Sequence, residues 1–166
     1  MILGMTTSTF TFIHVLLSVA AIGTGFVVMF GLLAGKRLDG WTAIFIVTSM
    51  ATSVTGFLFP FDKLLPSHVL GLLLLLVMVI AIWARYWFCL EGAWRWIYVV
   101  GAAGALYLDV FVAIVQAFRK IPALKAMAPT MTEPPFVIAQ LLNLGMFVVL
   151  AILGGKRFRV GQRRTA

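Results

Sequence analysis

Five runs of apolar residues, at 10–34, 41–59, 67–88, 94–118 and 136–154, decide what this chain folds into. Each is close to or above the roughly 20 residues that a helix needs to cross a hydrocarbon core about 30 Å thick. Inside hydrocarbon, every backbone N–H and C=O must bond within the chain, so such a run forms a helix. The expected fold is all-α: an integral membrane helical bundle with five transmembrane spans over residues 1–155, then a basic tail at 156–166. Composition agrees. The chain is 63% hydrophobic and 11% charged, against about 25% charged for a soluble domain.

An odd number of spans puts the termini on opposite sides, and lysine and arginine choose the sides. One set of connections holds Lys36, Arg37, Arg85, Arg95, Lys156, Arg157, Arg159, Arg163 and Arg164, and the other holds Lys63, Arg119, Lys120 and Lys125. The richer set belongs in the cytoplasm, which leaves the N-terminus outside and the C-terminus inside. Every tryptophan (Trp41, Trp83, Trp87, Trp94, Trp96) falls at an expected cytoplasmic boundary, as an aromatic belt does. Every proline falls in an expected outer connection, where its missing N–H costs nothing. The net charge of +8 is therefore read as an orientation signal, with the tail resting on anionic lipid headgroups rather than on nucleic acid. The first 14 residues lack the basic segment of a signal peptide, so the first run is expected to be retained. Cys89 is the one cysteine and allows no internal disulfide.

The run ALYLDVFVAIVQAF places Asp109 in the middle of a span. A charge at that depth costs about 2.5 to 3.5 kcal/mol, so it turns away from lipid. Its helical face reads Ala102, Ala105, Asp109, Ala113, Gln116, small and polar as a helix contact should be. Other spans contribute His14 and Ser18, then Thr52 and Thr55, then Gln140 and Asn143. At 1.5 Å per residue, Ser18, Thr52, Asp109 and Asn143 all lie roughly 10 to 13 Å below the outer surface. The inner halves, such as FVVMFGLLA and WTAIFIV, carry almost nothing polar. The expectation is a pocket open to the outside, lined by His14, Ser18, Thr52, Asp109, Gln116, Gln140 and Asn143. The bland reading of the same residues is hydrogen-bonded glue between helices.

His14 and His68 are the only histidines, and both lie toward the outer side. Two neutral imidazoles from different spans are the minimum that would hold a haem b, or a metal with help from Asp109. No spacing rule supports that set. The chain has no glycine-rich phosphate loop, no paired cysteines and no GxSxG nucleophile, which points away from an enzyme.

Three stretches, GKRLDGWTAIFIVTSMATSVTGFLFPF, LPSHVLGLLLLL and IPALKAMAPTMTEPPF, resemble a family of small multi-pass inner-membrane proteins of proteobacteria. The resemblance runs from about His14 to Arg159. It implies a bacterial inner-membrane location, and it implies no activity and no site residues, because that family has no assigned function. Three roles are expected on these grounds. The first is a non-enzymatic binding or accessory protein, as a homo-oligomer or beside a partner subunit. The second is a haem or metal redox protein using His14 and His68. The third is a proton-coupled transporter using Asp109.

Overall fold

The computed structural model describes residues 2, 4–60 and 66–158. The descriptions below concern those residues. Lys63 and most of the basic tail, from residue 159 on, lie outside them.

The described chain is helical, with no strands. α1 (Thr7–Leu33) and α2 (Asp39–Phe57) form a hairpin. α3 (Pro66–Ile82) runs directly into a π-helical turn, Trp83–Trp87. α4 (Ala93–Lys120), the short α5 (Pro122–Met127) and α6 (Pro134–Arg157) complete the chain. Local chemistry sets several boundaries. The Thr6 side chain accepts from the N–H of Thr9 at 3.1 Å and caps α1. Prolines occupy the first turns of α5 and α6, where an N–H would be idle. Cys89, Leu90 and Gly92 all have positive φ, so the connection from the π turn to α4 is a tight reversal.

Four helical segments are long and apolar enough to cross a membrane: Thr7–Leu33, Ser67–Trp87, Ala93–Lys120 and Pro134–Arg157. They point to a lipid environment. The run expected at 41–59 lies in α2, which is outside this set; it is 19 residues long and carries six hydroxyl side chains.

The packing order places the candidate site. α1 packs on α2 and α4, and α3 packs on the same two helices. α2 and α4 therefore stand at opposite corners of a four-helix core. α6 lies outside, against α4 and α1. Ring contacts between Phe118 and Phe136 and between Tyr107 and Phe147 show that it runs antiparallel to α4. Half of the most apolar stretch of α4 is buried, against 11% for α6. Between helices in lipid, close packing replaces the hydrophobic effect, and small residues permit it. Gly25 does so most acutely: a Cβ there would lie 2.6 Å from Leu106 Cδ1 and 2.8 Å from a ring carbon of Phe45. Gly101 likewise brings α4 onto Ala81 of α3.

Candidate functional site

Asp109 is 7% exposed and lies on the inner side of α4. Its observed partner is Ser49 of α2, fully buried, whose hydroxyl donates to Asp109 Oδ2. The bond thus crosses the diagonal of the four-helix core. The α4 face expected from spacing is buried at Ala102, Ala105 and Asp109, but Ala113 and Gln116 are exposed. Toward the C-terminal end of α4 the face that was expected to continue into the bundle therefore opens. Ser49, one turn before Thr52 on α2 and not among the expected pocket residues, is the residue that meets the carboxylate. No basic side chain pairs with Asp109: among the described residues every ion pair belongs to Asp39.

The other expected pocket residues divide into two groups. One group is satisfied. His14 Nδ1 lies 2.8 Å from Thr55 Oγ1, joining α1 to α2, and the His14 ring meets Phe59 edge-on. Ser18 donates to the carbonyl of His14, and Thr55 to that of Ala51, the back-bonds that hydroxyls make in lipid-embedded helices. His14 therefore bonds Thr55 and not Asp109. His68 is buried and stacks on Phe57 at 5.5 Å. The two histidines engage different partners on the last turn of α2, and among the described residues no three His, Cys, Asp or Glu side chains converge as metal ligands.

The second group is buried without full bonding. Asn143 is 4% exposed, and neither of its amide atoms has a partner. Gln140 donates to the carbonyl of Phe111 at 3.3 Å, while its Oε1 is unpartnered. Thr52 Oγ1 is also unpartnered. A buried polar atom left unbonded costs about 1 to 3 kcal/mol, so groups like these mark places where a further hydrogen-bonding molecule is accommodated.

The sequence pattern missed a second polar cluster, where the start of α2, the π turn and the start of α4 meet. The Arg85 side chain, in the π turn, is 1% exposed and bonds Asp39 at the start of α2, whose side chain is 68% exposed. Asp39 also takes a 2.9 Å bond from Arg37. The Arg85 guanidinium stands 5.0 Å from the centre of the Tyr98 ring, and the Tyr98 hydroxyl lies 3.4 Å from that of Thr42. Thr42 and Tyr98 are buried. The half of the bundle that was expected to face the cytoplasm is thus less apolar than its sequence suggested. Arg85 was legible only as an orientation charge, because nothing in its neighbours says that a π turn swings it inward. The one available signal was Asp39, a carboxylate at the same end of the bundle. Between the two clusters stand Phe45 and Leu106, both buried and seated at Gly25.

No protein-family model, curated protein or solved structure matches the chain.

Proposed function

We propose that the chain is a five-span protein of a bacterial inner membrane, N-terminus outside and C-terminus cytoplasmic, that serves as a binding or accessory protein. It takes a small cationic or polar ligand at Asp109 from the outer side. One observation carries this reading: a buried carboxylate whose bond is to a neutral hydroxyl, with no ion-pair partner among the described residues. Buried charges are normally matched, so the missing partner is assigned to the ligand. The unpartnered atoms of Thr52 on α2 and of Gln140 and Asn143 on α6 add hydrogen-bonding capacity elsewhere in the bundle.

The fifth span in this reading is α2. Its 19 residues rise about 28 Å at 1.5 Å each, close to the hydrocarbon thickness, and it is flanked by α1 and α3 along the core. The orientation follows from the described cations. Lys36, Arg37, Arg85, Arg95, Lys156 and Arg157 lie at one end, six in all, against Arg119, Lys120 and Lys125, three in all, at the other. Access from outside fits the packing, since Phe45 and Leu106 close the diagonal on the inner side of Asp109 and Arg85 stands beyond them. The bacterial location rests on the resemblance of the three quoted stretches.

The test is a melting series of the detergent-purified protein in ammonium, methylammonium, sodium and potassium chlorides at equal ionic strength, for wild type and Asp109→Asn. The expected result is a cation that raises the melting temperature of wild type and leaves Asp109→Asn unmoved. An identical response of both proteins across the series contradicts the reading.

A further inference from the structure

The geometry points to an aminophospholipid site in the inner leaflet, with the lipid ammonium on Glu91 and an acyl chain along Trp83 and Trp87. This site is remote from Asp109 and rests on the membrane and orientation readings, not on the ligand reading.

Two adjoining cavities, each of about 240 Å³, lie at the turn that joins α3 to α4. Trp83, Trp87 and Phe88 line the first; Trp87, Phe88, Cys89, Glu91 and Trp94 line the second. Because Trp87 and Phe88 belong to both, the two form one amphipathic groove, aromatic at one end and carrying a carboxylate at the other. The groove is built rather than incidental. Phe88 stacks flat on Trp94 with ring centres 3.7 Å apart, and positive φ at Cys89, Leu90 and Gly92 folds Glu91 back beside them.

The aromatic end continues down α3. Leu76, Ile80, Trp83 and Trp87 are all exposed, at 57%, 40%, 59% and 79%. Spaced by three or four residues, they form one stripe on the helix surface. From Leu76 to Trp87 the rise is about 16 Å at 1.5 Å per residue, close to the roughly 15 Å of hydrocarbon in one leaflet. The stripe suits one acyl chain, and the indoles sit at the headgroup boundary.

Charge selects the headgroup. This end of the described chain carries six cations (Lys36, Arg37, Arg85, Arg95, Lys156, Arg157) and two carboxylates (Asp39, Glu91), six minus two giving +4. Asp39 is engaged by Arg37 and Arg85. Glu91 is exposed and has no ion-pair partner among the described residues, although it sits in a strongly positive region. A purely anionic headgroup in the groove would be repelled by Glu91, the one charged residue that lines it. A zwitterionic headgroup bearing a primary ammonium brings its phosphate into the positive surroundings and its N–H donors onto the carboxylate, bonds that a quaternary ammonium cannot make.

The test uses the full-length protein in mixed micelles, with retained lipid counted by native mass spectrometry. The competitors are phosphatidylethanolamine, phosphatidylglycerol and phosphatidylcholine of identical chains at equal mole fraction. Wild type is expected to retain phosphatidylethanolamine over each of the others by about threefold to fivefold, the scale of one solvent-exposed charged contact. Glu91→Gln is expected to abolish that preference with helicity unchanged, and Trp87→Ala to lower retention of all three lipids together. Retention led by phosphatidylglycerol, or equal retention of phosphatidylethanolamine and phosphatidylcholine, overturns the proposal. So does a preference that survives Glu91→Gln.

Discussion

Removing Asp39 is expected to damage the protein far more than removing the arginine it binds. The guanidinium of Arg85 is out of water while its carboxylate partner is largely in it, at 1% and 68% side-chain exposure. Asp39→Ala leaves a buried cation facing only the rings of Tyr98 and Tyr86, with its Nε already unpartnered. Breaking a buried pair from one side costs about 3 to 5 kcal/mol. Here water reaches the vacated carboxylate position, which lowers the expectation to about 2 to 3 kcal/mol. Arg85→Met removes the charge together with its orphaned nitrogen and leaves Asp39 solvated beside Arg37. The loss is then chiefly the cation–π contact, about 1 kcal/mol. In thermal melts of the detergent-purified variants, Asp39→Ala should fall by about 4 to 12 °C and Arg85→Met by about 2 to 4 °C, taking 2 to 4 °C per kcal/mol. The double variant should return to the level of Arg85→Met. Equal damage from the two single changes, or an Asp39→Ala protein that melts like wild type, would refute the reasoning.

Three further outcomes are expected. Ser49→Ala strips Asp109 of its hydrogen bond, and chemical denaturation should show a loss of about 1 to 3 kcal/mol, which Ser49→Thr partly avoids. Gly25→Ala forces a methyl group against Leu106 and Phe45, both buried with little room to yield, and should destabilise by about 1 to 3 kcal/mol in the same assay. At Glu133, desolvation acts to raise the carboxyl, but bonds from Thr130 Oγ1 and the N–H groups of Thr130 and Thr132 outweigh it and hold the carboxyl below the ordinary glutamate value. A depressed carboxyl contributes order above its unfolded value and loses it as pH falls through the folded one. The protection of the Thr130 and Thr132 amides, taken relative to intrinsic exchange at each pH, should therefore persist from neutral pH downward and be lost only below the ordinary glutamate range; loss of protection near pH 6 would contradict this.

The helices were legible because hydrophobic length is a local signal: 10–34 falls on α1, 94–118 within α4 and 136–154 within α6. The burial of Asp109 was legible for the same reason, since helical spacing and the cost of a charge in lipid agree about it. Its partner was not, because Ser49, Thr52 and Ser53 lie within about one turn of α2 and only the packing of α2 across from α4 selects Ser49. The spacing also carried the polar face of α4 too far, to Gln116, since sequence does not say where a neighbouring helix stops. Arg85 was hidden by its own context. Exposed tryptophans at 83 and 87 read as a boundary, while the π turn that buries the residue between them depends on a backbone shift with no residue signature.

The central claim is that the polar site opens outward, and one labelling experiment tests it most directly. A Thr52→Cys variant in a Cys89→Ser background carries a single thiol beside the site. A charged, membrane-impermeant maleimide should modify it in right-side-out membrane vesicles and leave it untouched in inverted ones. Modification in inverted vesicles alone, or in neither orientation, would contradict the account.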